Sequence, residues 1–331
     1  MYHDKRFQTD PGFPLIAFNQ EQIQESTSAG FVTAEKPYFA QVAKQIMTLD
    51  KSVLENLTNR MMKGERVKPE TEAEIACFKV LSDIDAVGGH VKGSLTSKKY
   101  MRNNVWSLIS YTGAPSWFVT LSPADINHPI CIYFADKNIT FKPKLYFKKA
   151  DEAYRLVTSN PVAAACFFDM MVKNFIKHVL GFGKKHPGIY GETKAYYGVV
   201  EQQGRLTLHL HILIWILGAL SPQDICDRIM DSESDFQKAI VEYLESVHQG
   251  EFFNGKLEDV VEKIEKNQKN PEYVPPTKTM PEVPPPLCVK RNSCDICNNC
   301  KVLTGWWSWF KSVMDDLIKR SNLHNDCSKS I

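Results

Sequence analysis

The chain has 331 residues, 43% of them hydrophobic and 24% charged, so a packed core is expected and global disorder is excluded. Forty basic against 38 acidic residues leave a net charge of +2. That excludes a strongly basic nucleic-acid coat but not a local basic groove.

The start, Met1-Tyr2-His3-Asp4-Lys5-Arg6, runs into polar sequence, so no secretory leader is expected. Residues 1–36 show no core-forming period and read as an irregular segment. From Pro37 to residue 66, Phe39, Val42, Ala43, Ile46 and Leu49 recur at helical spacing. A second helix is expected from Pro69 to Asp85, broken by Gly88-Gly89. A third is expected from Ser97 to before Gly113-Ala114-Pro115. The period then changes. Ser116-Trp117-Phe118-Val119-Thr120-Leu121 is β-branched and aromatic, a central strand stopped by Pro123.

Residues 130–149 are mixed and basic. Pro161 to Leu180 reads as a long helix ended by Gly181-Phe182-Gly183. Two adjacent strand runs follow, residues 195–201 and 206–217, joined by Gln202-Gln203-Gly204-Arg205. The second is the longest apolar stretch, about 15 residues to Leu220, too short for a bilayer span of roughly 20. Further helices are expected from Ser221-Pro222 and over Ser234 to His248. Seven of the 18 prolines fall in residues 271–287, a stiff linker. The expected domains are 1–36, 37–255, a charged and proline-rich linker over 256–287, and a Cys-rich module over 288–331.

The second strand run carries the most informative pattern. In Thr207-Leu208-His209-Leu210-His211-Ile212, alternation puts His209 and His211 on one face, about 7 Å apart. Such a pair can grip one divalent cation if a third ligand is near. With an odd-numbered hairpin loop, Glu201 pairs opposite Thr207 and shares the histidine face, diagonal to His209. With a two-residue loop it turns away. Two histidines and a carboxylate suit Mg²⁺ or Mn²⁺ with open positions for phosphate oxygens.

The cysteine count of nine is odd. Cys77, Cys131, Cys166 and Cys226 are scattered, whereas Cys288, Cys294, Cys297, Cys300 and Cys327 crowd the C-terminal end. Cys294 and Cys297 have a zinc-knuckle gap, repeated by Cys297 and Cys300. One Zn²⁺ site over Cys294, Cys297, His324 and Cys327 is the expectation, with Cys288 and Cys300 as alternative ligands; reduced, unliganded cysteines are the other reading. Three patches offer basic groups for phosphate contacts: Lys98, Lys99 and Arg102; Lys142, Lys144, Lys148 and Lys149 around Tyr146; and Lys184 with Lys185.

The blocks Thr193-Lys194-Ala195-Tyr196-Tyr197-Gly198, His209-Leu210-His211-Ile212-Leu213-Ile214-Trp215, Ser116 through Asp125, and Ser97 through Asn103 together resemble the Helitron helicase-like amino-terminal domain, over roughly residues 37–250 and closest to fungal members. This is the replication-initiator-like endonuclease part of rolling-circle transposons. The resemblance implies an α+β fold, with an antiparallel central sheet flanked by helices and the two strand motifs adjacent; a small Cys-rich C-terminal module would follow. It implies a metal held at His209 and His211, single-stranded DNA as partner, a nuclear location and no membrane. It also implies a tyrosine that attacks a DNA phosphodiester.

The family places its tyrosines on a helix after the histidine strand. Here Tyr243 and Tyr273 follow His211, and Tyr243 is the candidate, without a second tyrosine one turn on. No Gly-x-x-x-x-Gly-Lys-Ser/Thr occurs, so the tyrosine block and the helicase motor are expected downstream of Ile331. The alternative is an inactive transposon-derived remnant that binds DNA or zinc. Asp125, just past the first strand, fits the family block. His128 does not and reads as a surface residue.

Overall fold

The structure is a computed structural model that describes residues 4–136, 150–202, 207–231, 235–248, 250–280, 282–286 and 297–322. The chain divides into two compact units. One is Asp10–Gly113; the other joins Met1–Thr9 to Ala114–Ile331. The first helix, α1 (Lys5–Gln8), belongs to the latter.

Unit Asp10–Gly113 is helical: α2 (Phe13–Ala34), α3 (Phe39–Met47), α4 (Lys51–Met62), α5 (Glu72–Gly88) and α6 (Leu95–Thr112). Side chains start several of these helices by satisfying backbone N–H groups that have no partner inside the helix. Asp50 accepts from Ser52 and Val53 ahead of α4, and Ser94 accepts from Ser97 ahead of α6. Thr71 and Glu74 form a reciprocal capping box at α5. Val42, Leu57, Cys77 and Val80 are buried in this unit.

Two expectations change here. The segment read as irregular contains α2, started by Asp10 Oδ1 accepting from the N–H groups of Gly12 and Phe13. Leu15, Ile16, Phe31 and Val32 remain exposed on it and Ala29 is its buried residue, so no apolar stripe announces the helix in sequence. The single helix expected over 37–66 is two, because the Asp50 cap interrupts it.

The other unit carries a three-stranded antiparallel sheet: β1 (Trp117–Leu121), β2 (Thr193–Gln202) and β3 (Leu208–Ile216), in the order β1-β3-β2. The histidine strand is therefore the centre. β1, expected to be central, is an edge among the described strands, since β3 uses both of its edges and Pro123 follows β1 closely. A 3-10 turn (Asp125–Asn127), α7 (Pro129–Ala135), α8 (Ala150–Thr158) and α9 (Pro161–Asn174) connect β1 to β2. The helix expected to reach Leu180 is α9 followed by a π turn over Phe175–Val179. Gly181 (φ 62°) ends it in the left-handed region, where a side chain would be strained.

Leu210, Ile212 and Ile214 of β3 lie on the buried face against Phe168 and Leu180. A second cluster, Cys131, Ile132, Ala135, Ala153, Val157, Ala163 and Phe167, joins α7, α8 and α9. Each such aliphatic side chain contributes roughly 1.5–3 kcal/mol by leaving water.

After β3 come α10 (Pro222–Ile229), α11 (Phe236–Val247), α12 (Leu257–Gln268), a 3-10 turn (Pro276–Lys278) and α13 (Asn298–Asn322). The region read as a linker thus holds a helix. Val260 and Ile264 are buried on α12. Asp315 of α13 accepts from the Phe253 N–H and from Asn254 Nδ2, both at 2.6 Å.

Candidate functional site

Register decides what the histidine face contains. β2 pairs with β3 so that Glu201 stands opposite His209, Val199 opposite His211 and Tyr197 opposite Leu213. β1 places Thr120 opposite His211 and Phe118 opposite Leu213. Residues directly opposite share a face. One face therefore carries Phe118, Thr120, Tyr197, Val199, Glu201, His209 and His211. The odd-numbered connection is the correct alternative, but it spans 203–207. Glu201 consequently pairs with His209, two residues beyond the expected partner Thr207. Parity is preserved, so the carboxylate stays on the histidine face.

His211 is held from both sides. Its Nε2 lies 3.2 Å from Glu201 Oε2 and its Nδ1 lies 3.0 Å from Thr120 Oγ1. Its ring stacks on Phe118 with centroids 5.9 Å apart and planes 4° from parallel. Adjacent ligands about 2.1 Å from an octahedral ion sit about 3 Å apart, so the His211 and Glu201 atoms stand at a separation that one small cation can bridge. The Nδ1–H of His209 donates to the Thr207 carbonyl at 3.2 Å. That fixes the tautomer and leaves its Nε2 with a lone pair. No three His, Cys, Asp or Glu side chains among the described residues converge as a closed ligand set. The His211–Glu201 pair is assembled; His209 faces the same side without joining it.

Asp125 sits in the 3-10 turn after β1, buried, with Oδ1 accepting from the Ile126 N–H at 2.8 Å. Burial pushes its carboxyl above the usual range, and the hydrogen bond from the Ile126 N–H pulls the other way. His128 is not a surface residue. Its Nδ1 accepts from the Ile130 N–H at the start of α7, its ring packs on Phe167, and burial pushes its pKa down.

Tyr243 is elsewhere. Its hydroxyl accepts from Trp117 Nε1 and donates to the Tyr190 carbonyl, both at 2.9 Å. Trp117 packs with the buried face of the sheet, so this hydroxyl lies on the side away from the histidines. Tyr273 donates to Asp316 on α13. Sequence reading had no signal for either partner, because both lie far along the chain.

Lys184 and Lys185 are exposed in the turn after Gly183. Lys98, Lys99 and Arg102 are exposed on α6 in the helical unit, with Lys99 4.0 Å from Asp85. Lys142, Lys144, Lys148 and Lys149 lie outside the described residues, as do Cys288, Cys294, His324 and Cys327. Of the cysteine cluster, Cys297 and Cys300 are described, at the start of α13, where the Cys300 N–H donates to Cys297 Sγ at 3.4 Å. The 25 residues of α13 span roughly 37 Å at 1.5 Å per residue. A single zinc site shared by both ends of that helix would require it to unwind.

No helix among the described residues is long and apolar enough to cross a membrane. Comparison with curated proteins and with solved structures gives no match. The family model of the Helitron helicase-like domain at the N-terminus matches residues 1–214. That match takes in the helical unit, both strand motifs and the hairpin up to Ile214, and it begins before the expected residue 37. On this match, with the two motif strands hydrogen-bonded side by side as the resemblance implied, the chain belongs to the Helitron helicase-like N-terminal domain family.

Proposed function

We propose that the chain is a metal-dependent, single-stranded-DNA-processing domain of a rolling-circle transposase, with His209, His211 and Glu201 holding Mg²⁺ or Mn²⁺. The observation that carries this is the His211–Glu201 pair at 3.2 Å, with His209 directly opposite Glu201 in the sheet register. The donor set, two imidazoles and a carboxylate, fits a hard divalent ion with open positions. Such an ion, when bound, polarises a phosphodiester and offsets charge that develops on its oxygens.

This chain's own residues do the rest. Thr120 holds the His211 ring by its Nδ1, and the Thr207 carbonyl fixes His209. Phe118 exposes an aromatic surface on the same face, suited to stack a base of an unpaired strand. Lys184 and Lys185 supply exposed positive charge for phosphates. A nuclear location accords with a DNA substrate. Zinc is proposed for the cysteine cluster at the start of α13, where the Cys297–Cys300 N–H···S contact favours thiolate character.

A second reading is favoured by one observation. Tyr243 is occupied by Trp117 and Tyr190 on the other side of the sheet. A domain that binds metal and DNA without cleaving it accords with that placement.

Calorimetry with Mn²⁺ tests the metal site. The double variant His209→Ala, His211→Ala should lose Mn²⁺ binding and retain the helical far-UV signal. Unchanged Mn²⁺ affinity would sink the assignment. Incubation with single-stranded DNA and Mn²⁺, followed by mass mapping, separates the two readings. A covalent tyrosine–DNA adduct establishes the nuclease, and binding without an adduct shows that this chain by itself supplies no nucleophilic tyrosine.

A further inference from the structure

A partly enclosed cavity of about 220 Å³ opens beside the histidine end of the hairpin. Asp125 and Ile126 form one wall, Val157 and Thr158 of α8 with Ala164 and Ala165 of α9 form another, and Gln202, Thr207 and Leu208 close it from the hairpin. An apolar cavity of about 150 Å³ admits benzene, so this one has room for one flat heterocycle and none for a folded strand. Its walls are mostly aliphatic, as a stacked base requires. Its polar lining residues are the buried Asp125 together with Gln202, Thr207 and Thr158, the last with its hydroxyl bonded to the Tyr154 carbonyl. Gln202 and Leu208 are paired partners on the helix-covered face of the sheet, opposite to Glu201 and His209, so the cavity lies behind the proposed metal face at the same end of the hairpin.

We propose that this cavity receives one unstacked guanine of a bound single strand, read by Asp125. The inference rests on the DNA-binding reading above. An ionised carboxylate accepts hydrogen bonds and donates none. Guanine is the DNA base whose pairing edge presents two neighbouring N–H donors, from its ring N1 and its amino group. A carboxylate meets such a pair in bidentate fashion, as it meets a guanidinium. Thymine offers one donor flanked by two carbonyl acceptors that face the carboxylate unfavourably. A base reaching this cavity must leave its stack, which an unpaired strand permits at low cost.

The test uses the full chain and fluorescence anisotropy with twelve-nucleotide oligothymidylate as the probe. Its relatives carry, at one central position, guanine, hypoxanthine or an abasic unit. The single guanine should tighten binding about tenfold or more over the all-thymine strand. Hypoxanthine, lacking the amino group, should recover only part of that gain. Asp125→Asn and Ala165→Leu should each remove the guanine preference and leave the all-thymine affinity unchanged. The leucine variant fills the mouth from an exposed helix position, so it guards against misfolding at buried Asp125. If all strands bind and guanine confers no gain, the cavity proposal falls and the DNA reading stands. If guanine binds preferentially and both variants keep that preference, the reader is elsewhere and the proposal falls as well. If no strand binds, the DNA reading falls and takes the proposal with it.

Discussion

Phe118 is unusual for a strand residue: 65% of its surface is exposed, yet its ring is held parallel to His211. Leaving that much aromatic surface in water costs free energy that a stacked base would recover. Phe118→Ala should therefore weaken single-stranded DNA binding by roughly tenfold, since a base–aromatic stack contributes about 1–3 kcal/mol. Mn²⁺ affinity measured by calorimetry should not move, because Phe118 offers no ligand atom. Loss of Mn²⁺ binding in this variant would show that the ring supports His211 instead. The two buried cysteines are inert by comparison. Burial pushes the Cys131 thiol up to about 12 and also raises Cys77, so neither forms the reactive thiolate readily.

Among elements, α13 is tied to the segments around α12 by two buried carboxylates. Asp315 caps the backbone ahead of α12, while Asp316 accepts from Arg320 and from the Tyr273 hydroxyl. Removing one partner of a buried charge leaves it unpaired. Arg320→Ala should cost about 3 kcal/mol in urea unfolding, at the lower end for such pairs, since the arginine side chain keeps 29% of its exposure. No change in the unfolding midpoint would mean that water satisfies Asp316 equally well.

Tyr273 adds a pH signature. Burial, then its bond to Asp316, raises its hydroxyl from 10.0 to about 12. The folded state holds this proton more tightly than the unfolded chain does. Its contribution is thus complete below pH 10 and is lost as pH rises from about 10 to 12. Tyr273→Phe should flatten that part of the stability profile, measured by denaturant melts at stepped alkaline pH.

For the whole molecule, charge sets the limit. A net charge of +2 over 331 residues provides no general attraction for nucleic acid. Binding should depend on a few local cations and on stacking. The slope of log affinity against log salt for single strands should be no steeper than about −3, or roughly four phosphates at −0.7 each. A slope twice as steep in anisotropy titrations would point to a larger basic surface than a few local cations provide. The division at Gly113 and Ala114 also matters at this scale. The family match runs through it, so the family's sequence pattern includes the helical unit as well as the sheet.

What could be read from the chain alone was the local physics. Alternation in Leu208-His209-Leu210-His211 assigned the histidines to one face because side chains on a strand alternate with period two. Ser221 opens α10 through a bond spanning three residues, as its sequence implied, whereas Thr71 and Ser94 cap helices whose starts were expected at Pro69 and Ser97. The helix α12 was legible too, in Leu257, Val260 and Ile264, but the charges between them and the prolines after them drew the reading toward a linker. Register needed the third dimension. Whether Glu201 meets Thr207 or His209 depends on pairing across a connection, and both choices keep the same parity. The central place of β3, the Trp117 and Tyr190 partners of Tyr243, and the cavity at Asp125 all join residues distant in sequence. Such contacts are chosen by how whole elements pack, through burial and hydrogen bonding summed over many residues. Alternation therefore placed the histidines on one face, and only the assembled sheet decided that Glu201, Thr120 and Phe118 would surround them.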